Sequence, residues 1–126
     1  MRFGPKQLEI MDVLWSHGRC SAKQITDHLL AAGKEVAHST VQTQLRLLAR
    51  KGAVDHETQD RTFVFFPLVQ RQDTARQATR DVLGRLFGGS AAAMVSHLLD
   101  ENELNAKELD EIRRLIDAHD SDSTPS

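Results

Sequence analysis

Apolar residues recur along this chain in two rhythms, and the change from one to the other marks its plan. From Gln7 to His17 the run Leu8, Ile10, Met11, Val13, Leu14 and Trp15 leaves a narrow polar wedge of Glu9, Asp12 and Ser16. So wide an apolar face predicts a helix packed on more than one side, ended by Gly18. Ser21 and Gln24 form a capping box that opens a second helix, with Ile25, Leu29 and Leu30 toward the core and Gly33 at its close. A third helix is predicted by Val41, Leu45 and Leu48, spaced i, i+4, i+7. Ser39 and Gln42 offer it a second capping box, and Gly52 ends it after Arg50-Lys51. The rhythm then shortens. Val54 and the run Phe63, Val64, Phe65, Phe66 flank a polar tip, HETQDR, and predict a hairpin over about 54–67. Pro67 closes its second strand because it cannot donate to a ladder.

Helical spacing returns at about Gln70. Ala75, Ala78, Val82, Leu83, Leu86 and Phe87 share a face, while Arg71, Arg76, Arg80 and Arg85 lie mostly elsewhere. Gly88-Gly89 break the chain, Ser90 can cap AAAMVSHLL, and Asn105 with Glu108 opens a last helix striped by Leu109, Ile112, Leu115 and Ile116. Beyond Ala118 the segment HDSDSTPS lacks large apolar residues, and 119–126 is expected as a disordered tail. The fold class is therefore mainly α with a small β-hairpin wing. Residues 1–69 are expected as an N-terminal winged helix-turn-helix, and 70–118 as a C-terminal helical dimerisation region. Three helices of about fifty residues make a marginal core alone. Val82, Leu83, Leu86, Phe87, Leu98, Leu109, Ile112, Leu115 and Ile116 are accordingly expected to meet a second copy. The competing reading folds them back onto the winged helix within one monomer.

Net charge is −2, but it is unevenly spread. Residues 1–90 carry 13 Lys/Arg against 9 Asp/Glu, a net of +4, whereas 91–126 carry 3 against 9, a net of −6. Such asymmetry fits one half that faces nucleic acid and another that faces solvent or a partner. The single cysteine, Cys20, excludes a disulfide framework and fits a reducing compartment. No apolar run approaches the ~20 residues that span a bilayer, so a cytoplasmic protein without membrane insertion is expected.

The chemistry on offer is that of binding. Ser39, Thr43, Arg46 and Arg50 lie opposite the apolar stripe of the third helix and can reach base edges and phosphates in a major groove. Thr40, Thr43 and Arg46 are the expected base-proximal contacts, joined by Gln42, with Arg50 and Lys51 toward phosphate. Ser39 and Gln42 have an alternative use in capping, and Arg50 and Lys51 in complementing the helix dipole. Arg61 at the wing tip can reach a phosphate or a minor groove; as an ordinary solvated turn residue it would do neither. Phe63, Phe65 and Phe66 read as core and interface rather than as a stacking platform. Six histidines (His17, His28, His38, His56, His97, His119) lack metal-ligand spacing. With no phosphate loop, paired carboxylates or nucleophile elbow, no enzyme, metal or cofactor is expected.

With LEIMDVLWSHG, STVQTQLRLLARKGAV, RTFVFFPLV, RDVLGRLFGGS, AMVSHLL and ELDEIRRLID in order, the chain resembles the BlaI/MecI/CopY family of bacterial repressors, to about Ala118. The resemblance implies a homodimer held by C-terminal helices. Each winged helix would take a half-site of a palindromic operator built around TACA/TGTA. It also implies silencing by blocking RNA polymerase, relieved when a membrane sensor with a metalloprotease domain triggers repressor cleavage. Matched by position, the family's recognition helix supports Thr40, Thr43 and Arg46. Three departures matter. Arg46-Leu47 stands where many relatives have Arg-Arg, His97-Leu98 replaces the Asn-Phe pair cut in the β-lactam-responsive branch, and the copper branch's cysteine cluster is missing. The expected function is a dimeric repressor of transcription on double-stranded DNA. A protein-interaction winged helix indifferent to DNA stands as the alternative.

Overall fold

The computed structural model describes residues 1–123. The elements follow in the order α1 (Pro5–His17), β1 (Cys20–Ser21), α2 (Ala22–Ala31), α3 (His38–Lys51), β2 (Val54–Gln59), β3 (Thr62–Pro67), α4 (Arg71–Phe87), α5 (Ala91–Asp100) and α6 (Ala106–Ser123). They fall into two compact units, Met1–Arg80 and Asp81–Ser126.

The first unit is a three-helix core edged by a small sheet. Ile10, Met11 and Leu14 of α1, Ile25 and Leu29 of α2, and Val41, Leu45 and Leu48 of α3 are all buried together. The i, i+4, i+7 stripe of α3 is thus its inner face, and burying such side chains is worth about 1.5–3 kcal/mol each. Leu30, expected inside, is instead 52 % exposed. Adjacent positions on a helix are 100° apart, and Leu29 holds the inward one.

Local chemistry sets the boundaries. Pro5 starts α1 two residues earlier than expected, in the first helical position where its missing N–H costs nothing. At α2 the Ser21 box forms as read: Ser21 Oγ accepts from Gln24 N at 3.2 Å and Gln24 Oε1 accepts from Ser21 N at 2.9 Å. The Ser39–Gln42 box does not form. Ala37 is the N-cap and α3 begins at His38, so Ser39 already lies inside the first turn and cannot adopt the extended cap conformation. Gly52 ends α3 in the left-handed region, φ 81° and ψ 19°, where Ala53 N donates to Leu48 O at 2.9 Å.

The sheet order is β1-β3-β2. Strand β1 is new to the sequence reading: Cys20 pairs with Phe65 and Ser21 with Val64, fastening the α1–α2 connection to the wing. The wing tip is also shorter than HETQDR. Residues 56–59 belong to β2, and the turn is Asp60-Arg61 alone, with φ of 49° and 65°. Leu68 N donates to Ala53 O at 2.8 Å and Trp15 Nε1 to Val69 O at 2.9 Å, stitching the hairpin exit to the core.

The first turns of α4 belong to this unit, so the compact boundary lies at 80/81 rather than 69/70. Arg71 explains the difference. Its guanidinium donates to Asp12 Oδ1 at 2.6 Å and to Ser16 Oγ at 3.0 Å, and lies 5.6 Å from the centre of the Trp15 ring.

In the second unit Ser90 caps α5, its Oγ accepting from Ala93 N at 3.0 Å, and Asn105 Oδ1 accepts from Glu108 N at 2.9 Å at the head of α6. Helix α6 continues to Ser123, so 119–123 extend it where a tail was expected; 124–126 lie outside the described residues. No described residue of this unit is buried. Leu83, Phe87, Leu98, Leu109 and Ile112 are half-buried, while Val82, Leu86, Leu115 and Ile116 are exposed, Leu86 to 74 %. No single helix among the described residues is long and apolar enough to cross a membrane.

Candidate nucleic-acid interface

With Val41, Leu45 and Leu48 turned inward, helical geometry forces Thr43, Arg46 and Arg50 outward, and all three are exposed. Gln42 is exposed beside them and Thr40 is half-buried. The flank is partly pre-arranged. Thr43 Oγ1 donates to Ser39 O at 3.0 Å and accepts from Arg46 Nη2 at 3.3 Å. The hydroxyl therefore steadies the guanidinium while its other donors stay available. Arg50 makes no ion pair among the described residues.

A bridge to α2 fixes the pose of α3. Thr26 Oγ1 donates to Ala22 O at 2.8 Å and lies 3.2 Å from His38 Nδ1. A hydroxyl has one hydrogen, already given to Ala22, so Nδ1 carries the hydrogen of the second bond. Lys51 behaves differently from its neighbours. Its ammonium donates to Arg2 O at 2.7 Å and to Gln7 Oε1 at 2.8 Å, and lies 5.6 Å from the Phe3 ring centre. It ties the end of α3 to the head of α1, an internal use that the sequence did not disclose.

Facing α3 across a cleft of about 540 Å³ stands the wing. Arg46 and Gln42 line one wall, Arg61, Thr62 and Phe63 the other, with Lys23 and His38 also on the lining. No carboxylate lines it. A family model described as "Penicillinase repressor" matches residues 3–118. The chain belongs to that family.

Two sequence relatives and one solved structure show the extent of the likeness. The penicillinase repressor of Bacillus licheniformis is 27% identical over 113 residues, covering 90% of this chain and 88% of that protein. The methicillin resistance regulatory protein MecI of Staphylococcus aureus is 21% identical over 108 residues, covering 86% and 87%. The solution structure of the DNA binding domain of the repressor BlaI superposes with a TM-score of 0.51 and 29% identity, covering 57% of this chain and 87% of that one. The ferric uptake regulator of Vibrio cholerae, at 18% identity and a TM-score of 0.50, shares the fold alone. Penicillinase repressors are DNA-binding regulators of transcription, not enzymes.

Within this member of the penicillinase repressor family, strand alternation answers the acidic look of the wing. Residues paired across β2 and β3 share a face, so His56, Phe63 and Phe65 lie on one side and Asp55, Glu57, Val64 and Phe66 on the other. The rings of the first set do pack, with His56 4.2 Å from Phe63 and 5.6 Å from Phe65. Phe63 and Phe65 line the cleft, so Asp55 and Glu57 point away from it. Glu57 there accepts from Arg19, whose guanidinium lies 4.4 Å from the Phe66 ring centre. Arg61 makes no ion pair among the described residues and holds φ 65°, a conformation suited to glycine. Lys23, His38 and Thr62 line the cleft although the sequence did not point to them, and Phe63, expected as core or interface, is 52 % exposed.

Cys20 is buried in β1, and desolvation raises its thiol above the ordinary value of 9.0. Among the described residues no cluster of three or more His, Cys, Asp or Glu is arranged to hold a metal ion.

Proposed function

We propose that this protein is a homodimeric repressor that seats α3 in the major groove of each half-site of a palindromic operator, with the wing tip on the adjoining backbone. One observation carries the reading: a cleft lined by Lys23, Arg46 and Arg61 and by no carboxylate opens beside the exposed donor flank of α3. Thr40, Gln42, Thr43 and Arg46 are the groups for base edges, and Arg50 and Arg61 those for phosphate. Lys51 serves as the brace that holds the helix end. Support for the dimer comes from the second unit, whose apolar residues Val82, Leu86, Leu115 and Ile116 stay wet in one copy. Covering them against a second chain brings two winged helices to one duplex and raises the effective concentration for the second half-site. Relief by proteolysis, triggered by a membrane sensor, would act by separating the dimerising helices from the winged helix. His97-Leu98, which replaces the family's Asn-Phe pair, lies within α5, between α4 and α6, with His97 exposed.

The test is a footprint of the purified protein on duplex DNA from its own upstream region, repeated across a salt series. Two protected half-sites, one or two helical turns apart, are expected. Affinity should fall log-linearly with salt, with a slope near −0.9 per neutralised phosphate. Affinity that is absent or flat at low ionic strength would leave the winged helix as a protein-docking module.

A further inference from the structure

Phe63 is the side chain that a repressor's core does not explain. It is 52 % exposed, one pair from the wing tip, while its strand neighbours Val64, Phe65 and Phe66 are all at least half-buried. His56 backs the ring from β2 with centroids 4.2 Å apart, which holds its orientation. The open face borders the cleft, between Gln42 and Arg46 of α3 on one side and Arg61 on the other.

An exposed ring flanked by two guanidiniums matches one repeating chemical unit, an apolar sugar that joins a base on one side to phosphate on the other. A lone apolar peptide would leave both cations unanswered, and free phosphate would leave the ring wet. The position agrees. If α3 occupies a major groove and Arg61 reaches the next stretch of backbone, the strand between them must cross the cleft over Phe63. We infer that Phe63 packs against a deoxyribose of the operator, with Arg61 holding the phosphate on one side of that sugar while Arg46 enters the groove on the other. This rests on the DNA-binding reading above and adds to it an apolar, salt-independent contact. The ring gives grip rather than sequence choice, because every nucleotide presents the same sugar.

Hydroxyl-radical footprinting and a salt series test this on the full chain. Hydroxyl radicals attack deoxyribose hydrogens, so wild type should protect one or two sugars per half-site that Phe63→Ala leaves open, the remaining footprint being unchanged. Phe63→Ala should weaken binding by on the order of tenfold on operator and random duplex alike. Its salt slope should equal that of wild type. Arg61→Ala should instead lower the slope by about 0.9. Phe63→Leu, which keeps an apolar contact and guards against a folding defect, should restore most of the affinity and the sugar protection. Unchanged affinity and footprint in Phe63→Ala would overturn the sugar contact while leaving the repressor reading intact. A changed salt slope would overturn it too, since an apolar contact releases no counterions. Wild type that binds no duplex would overturn both.

Discussion

Lys51→Met separates an internal brace from a phosphate contact at one position. The lysine ammonium donates to Arg2 O at 2.7 Å and to Gln7 Oε1 at 2.8 Å, joining the last turn of α3 to the first turn of α1 and the chain before it. Methionine keeps the apolar stem and removes both bonds. Gln7 is buried, but its Oε1 keeps Gly4 N as a donor at 3.2 Å, so no polar atom is stranded. The larger penalty for an orphaned buried group is thereby avoided. Because Lys51 is itself exposed, two charge-assisted bonds there contribute roughly 1–2 kcal/mol in all. For a unit of this size each kcal/mol moves the melting temperature by about 4–8 °C, so the variant should melt on the order of 5–15 °C lower. Calorimetry of the full chain reads the first quantity. Fluorescence anisotropy on a labelled duplex, at five salt concentrations, reads the second. The salt slope should match wild type, since the brace touches no phosphate. An unchanged melting temperature with a slope lower by about 0.9 would refute the assignment and make Lys51 a DNA contact.

Other expectations follow from the same geometry. Arg46→Ala should cost about 1–3 kcal/mol on operator DNA and much less on random duplex, measured by competition; equal losses on both would mean that Arg46 touches only phosphate. Leu86→Glu with Ile116→Glu should turn a sedimenting dimer into monomer and weaken operator binding by about a hundredfold or more, with the winged helix still folded by circular dichroism. A dimer that survives both charges would place the contact elsewhere. Cys20 should resist alkylation in the native protein at pH 8 and react at once in denaturant, because burial holds its thiol above the ordinary value of 9.0. That raised value means its contribution to stability is intact below pH 9 and fades as pH rises through the folded value, which a pH series of melts would show.

The inner stripe of α3 was legible because a three-residue pattern at helical spacing has no competing explanation, and Val41, Leu45 and Leu48 all proved buried. The hairpin was legible for the same reason at period two. Strand β1 was not: two residues are too few to show alternation, and Cys20-Ser21 looked like the lead-in to a cap. Ser39 misled because a capping pattern names a residue's chemistry, not its backbone, and the N-cap of α3 is Ala37, two residues earlier. Phe63 was hidden among apolar neighbours, since a strand with large residues on both faces does not say which face is covered. The role of Lys51 depends on Arg2 and Gln7, more than forty positions away, and no local pattern could show it.

The hairpin turn carries one more implication. Asp60 and Arg61 both sit at positive φ, where asparagine and glycine would rest without steric cost. Replacing Arg61 with glycine should therefore make the protein harder to melt while weakening its hold on a polyanion. Selection for thermal robustness alone would erode this corner first, and a laboratory lineage evolved for heat tolerance would be expected to lose its grip on the genome there.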